Sequence, residues 1–356
     1  MEIFKGDCLP ALIGSLPMKD HAEATRLVLK YVPEIPLWVQ LPVYGEEGMI
    51  PQFLEGLPGV SKTGGKICVD TSQPDFENDL LQFYDAYVDI TEGEGDLSHS
   101  LFALTKNTAK GFFELIDQVR ELPESPKAIK GQITGPITMG TGLVNQDGRA
   151  VFYDAQLRDA VLKLLALKAK WQVRILKQTG CPVIMFFDEP ALAGYGSSAF
   201  LSITKEDIAA CFDEVVGAVH DEGGLAGVHV CANTDWSLIL DSQADIVSFD
   251  AFSYFDNFIL YPEQIRAFMA RGGMLAWGIV PTSKEDLANV STDMLVSKWQ
   301  SDHKKLVEIG IPSDTIIARS LITPSCGTGS LSLEEAKKVL RLTRDVSTAL
   351  RHWKKI

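Results

Sequence analysis

From about residue 127 onward, short β-rich apolar runs alternate with longer segments of helical period, and this alternation most restricts the folds open to the chain. It is the pattern of repeated βα units, which build a parallel sheet covered by helices. Candidate strands fall at 128–133, 182–187, 225–230, 245–249, 273–278 and 315–319. Candidate helices lie near 151–179, 204–222, 234–241, 260–271, 284–309 and 332–353. Several open with a capping signal, such as Thr204, or Ser332 followed three residues on by Glu335. Six such units leave two strands to find in the N-terminal third, where 37–41 is one candidate and 66–70 a weaker one. The stretch 42–126 mixes turn residues, acids and glycine with little periodicity, and reads as long βα-loops or an excursion. The expected fold class is therefore α/β, a (β/α)8 TIM barrel with an N-terminal extension and long loops, as a single domain over residues 1–356. A doubly wound open sheet is the alternative, although no G-x-G-x-x-G follows an early strand.

Composition narrows the function classes. Apolar residues make up 46% and charged residues 22%, enough Val, Ile, Leu and Phe for a sizeable core. A net charge of −14, spread along the chain, repels nucleic acid and anionic membranes, so neither is expected as a partner. The N-terminus carries acids early and is broken by Pro10, Gly14 and Pro17, unlike a signal peptide, and no apolar run approaches the roughly 20 residues that span a bilayer. A cytoplasmic protein is expected. The six cysteines lie far apart, which suits reduced thiols or metal ligands better than a disulfide scaffold.

One constellation carries chemistry. In Gly227-Val228-His229-Val230-Cys231, the His and Cys are two apart at the end of a candidate strand, so both side chains point to one face. The next strand ends in Asp250, and Cys326 precedes the final helix. In a parallel barrel these strand ends meet at the C-terminal face, where active sites are built. An imidazole, two thiols and a carboxylate form a mixed set that favours zinc. Singly, each residue has a plainer reading, as a core cysteine or a satisfied buried histidine; the convergence of three soft donors on one face is what argues for a metal.

Residues 227 to 236, Gly-Val-His-Val-Cys-Ala-Asn-Thr-Asp-Trp, closely resemble the zinc-binding stretch of the superfamily that holds cobalamin-independent methionine synthase, corrinoid-dependent methyltransferases and uroporphyrinogen decarboxylase. The resemblance spans nearly the whole chain and includes Ile13-Gly14-Ser15, Gly131 through Pro136, Asp188-Glu189-Pro190-Ala191-Leu192 and Cys326-Gly327. It implies that His229, Cys231 and Cys326 ligate zinc, with Asp250 where the methionine synthases place a glutamate. It also implies that Asp188, with Glu189 beside it, meets the amino group of homocysteine, and that Ile13, Gly14 and Ser15 hold its carboxylate. For Asp-Glu-Pro the plain alternative is a helix start, with acids beside the positive helix end. No catalytic residue beyond the metal site is implied.

The expected function is a zinc-dependent methyltransferase (methionine synthase-like) acting on a small-molecule thiol. Zinc turns a thiol with an ordinary pKa near 8.5 into a thiolate at neutral pH, and three protein ligands leave a fourth position for the substrate sulfur. The related full-length synthases carry a second barrel for folate, which 356 residues cannot hold, and a histidine after the strand matching 273–278; here that loop reads Trp277-Gly278-Ile279-Val280-Pro281-Thr282. A methyl leaving folate nitrogen needs a proton donor, whereas one leaving corrinoid cobalt does not, so a methylcorrinoid, free or on a corrinoid protein, is the expected donor ahead of a methylfolate. A metal-free decarboxylase of the uroporphyrinogen type is the alternative; it needs cations for its polycarboxylate, and Arg26 is the only arginine among the first hundred residues. A silent barrel with structural zinc is a third reading, although structural sites close all four positions. Glu46 or Glu47, in Tyr-Gly-Glu-Glu-Gly, could provide a second acid for the amino group, with a solvated loop as the preferred reading of the pair, and His21, His99, His220, His303 and His352 are expected on loops or exposed helix faces. Trp236, Trp277 and Phe252 are expected as core or pocket lining.

Overall fold

A computed structural model describes residues 4–63, 65–197, 200 and 202–353. Nine strands occur among them: β1 (Leu9–Pro10), β2 (Val60–Thr63), β3 (Lys66–Val69), β4 (Ile129–Thr134), β5 (Val183–Asp188), β6 (Leu225–Val230), β7 (Ile246–Phe249), β8 (Met274–Val280) and β9 (Ser320–Pro324). Seven form one curled parallel sheet in the order β1-β9-β8-β7-β6-β5-β4, with the expected helices as crossovers. The long crossover after β4 is Ala155–Leu176, and Lys205–Asp221 follows β5. Thr204 and Asp207 form a reciprocal cap at the start of the latter, and Ser332 and Glu335 bond each other's backbone N–H at the start of Leu333–Trp353.

Strand alternation explains the two apolar layers. Val183, Met185, Phe187, Val228, Val230, Val247, Phe249 and Leu275 face the helices and belong to the main core. Ile184, Phe186, Ile246, Met274, Ala276 and Leu321 point the other way and pack together inside the curl of the sheet. Above them, toward the C-terminal strand ends, the inward positions turn polar: Thr134, Asp188, His229 and Ser248.

The two sheet edges approach each other across the segment 37–40. Leu37 makes an isolated parallel bridge to Lys130 on β4, and Gln40 makes one to Ser15 beyond β1. Backbone bonds at this seam are few: Lys130 N–H to Pro36 O (2.9 Å), Gln40 N–H to Gly14 O (3.3 Å) and Leu16 N–H to Gln40 O (3.0 Å). Side chains supply the remainder. Gln132 Nε2 donates to Trp38 O (2.7 Å), Gln172 Nε2 to Gln132 O (3.1 Å), and Trp38 Nε1 to Gln172 Oε1 (3.0 Å). The candidate strand 37–41 thus contributes bridges rather than a regular ladder, bounded by Pro36 and Pro42, whose missing N–H groups interrupt pairing.

Two expected strands are corrected. Residues 315–319 lie largely in the helix Ser313–Ala318, which follows Pro312, carries Asp314 in its first turn and buries Ile316 and Ile317; the strand is β9, one step later. Residues 66–70 supply β3, which pairs antiparallel with β2 in a separate hairpin, turned through Gly65 at φ +82°. The stretch 42–126 also holds two α-helices, Phe76–Glu92 and Lys110–Arg120, both packed on the main core through Phe83, Phe112 and Leu115. Strand β1 leaves no periodic signal in the sequence because it is two residues long and ends in proline. No helix among the described residues is long and apolar enough to cross a membrane.

Lys168, on the long helix after β4, is fully buried with Nζ 3.4 Å from Ala103 O. Burial pulls its ammonium down to about 8, with Glu55 opposing the shift. The unfolded chain keeps that proton to near the ordinary lysine value, so stability rises as pH climbs from about 8 toward 10.5. Lys168→Met is expected to be more stable than wild type at pH 7 by about 1–4 kcal/mol. Lys130 is shifted the same way, so the variant should lose roughly half of the alkaline gain; urea denaturation at pH 7, 8.5 and 10 measures both.

Candidate metal centre

The parallel register sets three inward side chains in a row: Asp188 on β5 is paired with His229 on β6, and His229 with Ser248 on β7. His229 is buried, and its Nδ1 lies 2.9 Å from Ser248 Oγ. That contact orients the ring and leaves Nε2 buried without a hydrogen-bond partner. Cys231 follows β6 by one residue, and Cys326 follows β9. A ligand atom of His229 and the sulfurs of Cys231 and Cys326 lie within 4.8 Å of one another, a spacing that can hold a metal ion. The elements that bring Cys326 here are glycine-dependent: a Cβ on Gly327 would stand 2.3 Å from Ser15 Oγ.

The two thiols act as one acid. A hydrogen bond from Cys326, helped by His229, favours the thiolate at Cys231, while the same bond and burial hold the proton on Cys326. The pairing thus lowers the cost of a thiolate at Cys231 and raises it at Cys326.

Asp188 is half-buried, with Oδ1 shielded from solvent and unpartnered. Burial pushes its carboxyl up, with Lys130 and His229 opposing. It opens on a cavity of about 490 Å³, whose wall also includes the three donors and Ile13, Gly14 and Ser15. Ser15 is anchored by its carbonyl, which accepts from Thr328 N (2.9 Å), and by its Oγ, which accepts from Gly329 N (3.1 Å).

Two of the expected site residues make hydrogen bonds at helix N-termini. Glu189 is fully buried, and its oxygens accept from Ile137 N (2.8 Å), Thr138 N (2.7 Å) and Thr138 Oγ1 (2.6 Å), so it staples the helix Pro136–Gly142 and is absent from the cavity wall. Burial raises its pKa to about 7 against those hydrogen bonds. Asp250 lies outside the 4.8 Å set, and its Oδ1 caps the helix Ala251–Phe258 by accepting from Ser253 N (2.9 Å).

Other expectations are corrected. Glu46 is exposed, but Glu47 is buried in the cavity wall, where it accepts from Leu41 N (2.7 Å) and sits 2.5 Å from His21 Nε2. His21 is itself buried, and His303 is buried against Trp299 with its pKa lowered by burial. Glu47 looked solvated because its neighbours Gly45, Glu46 and Gly48 offer no periodicity; only the contact with His21, 26 residues away in sequence, encloses it. Trp236 and Trp277 are fully buried among Phe249, Phe255 and Phe258 on the helix side of the sheet, as core.

No family model and no curated protein matches the chain. Solved structures do. A B12-independent methionine synthase from Shewanella sp. W3-18-1, in complex with selenomethionine, superposes with a TM-score of 0.60 at 17% identity, over 98% of this chain and 99% of that one. A candidate vitamin-B12-independent methionine synthase from Listeria monocytogenes gives 0.53 at 12% identity, over 96% and 97%. At such identities the likeness is one of fold, and it extends nearly end to end in both pairs. The structural neighbours of this chain are thus B12-independent methionine synthase-like proteins, the group that its motifs resemble.

Proposed function

We propose that this chain is a zinc-dependent methyltransferase that moves a methyl group to a thiol acceptor of the homocysteine class. The observation that carries the proposal is the meeting of His229, Cys231 and Cys326 on a cavity wall, with a buried, unpartnered His229 Nε2 and an unpartnered Asp188 oxygen beside them. One soft nitrogen and two sulfurs suit zinc, which, when bound, would supply the positive charge that keeps an acceptor thiol deprotonated at neutral pH. Ser248 holds the His229 ring, Asp188 receives the acceptor's ammonium, and Ile13, Gly14 and Ser15 line the side where its carboxylate lies. Asp250 caps its helix and acts on the site through charge. Glu189 holds the helix Pro136–Gly142, which follows Thr134 of the cavity wall. The seven-stranded sheet with segment 37–40 is taken as a (β/α)8 barrel in one domain, the 42–126 stretch as an excursion at its edge.

The selenomethionine in the Shewanella structure is the selenium analogue of an S-methylated homocysteine, which supports the acceptor class. The names of both neighbours lend no support to a corrinoid donor; that donor rests on the loop after β8, which has no histidine to protonate a departing folate nitrogen. The decarboxylase alternative is disfavoured, because the cavity wall carries no Lys or Arg side chain among the described residues.

Metal analysis of the pure protein should give about one zinc per chain, with the content lost or greatly weakened in Cys231→Ser and Cys326→Ser; full zinc in both variants would reject the site. Ser248→Ala should keep the ligands and weaken zinc about 10- to 100-fold in chelator competition. With homocysteine as acceptor, methylcobalamin is expected to support turnover and methyltetrahydrofolate is not; turnover with the folate alone reverses the choice of donor.

A further inference from the structure

Lys130 is fully buried on the inward face of β4, where the neighbouring inward residues Ile184 and Phe186 are apolar. Its Nζ donates to the carbonyl of Ile13 (2.9 Å), lies 3.4 Å from Gln132 Oε1 and stands 4.4 Å from the centre of the Phe186 ring. No carboxylate is within ion-pair distance of it among the described residues, yet the charges of Lys130 and Asp188 act on each other. A lone ammonium in such a place is costly, and an apolar side chain would fill the space more cheaply. What the ammonium does is specific: the carbonyl it holds belongs to the peptide bond that leads into Gly14, where the cavity wall begins.

Gly14 and Ser15 are otherwise tied by few backbone bonds, since the strand pairing on this side consists of isolated bridges. The wall's position therefore depends on Lys130 from behind and on Thr328 and Gly329 from above. Drawing electron density from the Ile13 carbonyl also polarises the Ile13–Gly14 peptide toward its N–H end. Among the described residues the cavity wall has carboxylates and thiols but no Lys or Arg, so the buried ammonium behind it is a source of positive potential on that side.

We propose that Lys130 is a positioning residue for the acceptor, fixing the wall at Ile13, Gly14 and Ser15 and making the cavity prefer thiols that carry a carboxylate. The proposal rests on the thiol-acceptor reading above and adds to it the residue that sets acceptor choice.

The test is calorimetric binding of homocysteine and of cysteamine, an amino thiol without a carboxylate, to zinc-loaded wild type, Lys130→Met and Lys130→Gln. Lys130→Met should weaken homocysteine about tenfold or more, leave cysteamine within about twofold, and keep zinc content and thermal stability; Lys130→Gln, which can still donate to Ile13, should fall between. Unchanged homocysteine affinity in Lys130→Met, or equal loss of both ligands, overturns the proposal. Absence of zinc, or of binding of either thiol to wild type, would instead overturn the thiol-acceptor reading and the proposal with it. Should neither variant fold, 15N-lysine labelling of the wild type, with Lys168→Met to identify the other buried ammonium, reads the same contact: the Lys130 signal should move with homocysteine and not with cysteamine, and a signal unmoved by homocysteine sinks the idea.

Discussion

Parallel register is the constraint on which the site depends. Because β5, β6 and β7 run side by side in step, Asp188, His229 and Ser248 fall into one row on the inner face. A shift of one residue in any of these strands would turn its member of the row toward the helices. The main core enforces the register by burying Phe187, Val228, Val230, Val247 and Phe249 on the opposite face. The packing of the outer layer thus fixes the geometry of the inner polar one.

The remaining donor arrives by a different route. Cys326 sits beyond β9, and it is held in place by the contact of Gly327 and Gly329 with Ser15. That contact extends the parallel pairing of β1 with β9 and lies beside the seam at Ser15 and Gln40, which has isolated bridges in place of a ladder. Side chains carry the seam: Gln132, Gln172, Trp38 and Lys130 each bond backbone or amide groups there. Mutually bonded amide and indole groups such as those of Gln132, Gln172 and Trp38 specify one arrangement of the seam.

Electrostatics at the site follow from burial. The cavity collects Asp188, Glu47 and the sulfurs of Cys231 and Cys326, and burial penalises the bare charge of Asp188. A cation among these groups is what the proposed function supplies. The donor set, one imidazole nitrogen and two sulfurs, matches a soft divalent ion and leaves room for a further ligand from the cavity.

Much of this was legible in the chain itself. The alternation of apolar runs and helical segments determined a parallel α/β sheet, because only helical crossovers can return strands in the same direction, and five of the six later strands fell where that alternation placed them. His229-x-Cys231 determined that two donors share a face, since strand side chains repeat every two residues. Tertiary structure decided the rest, for reasons of distance. Whether Ile316 and Ile317 belonged to a strand or a helix turned on what they packed against. Glu189 and Asp250 look like site acids in sequence, and the fold also gives them hydrogen bonds from Ile137, Thr138 and Ser253 at helix N-termini. The sequence offered Glu46 and Glu47 alike as a possible site acid, and Lys130 carried no local signal; the partners that enclose Glu47 and Lys130, His21 and Ile13, are brought to them by folding alone.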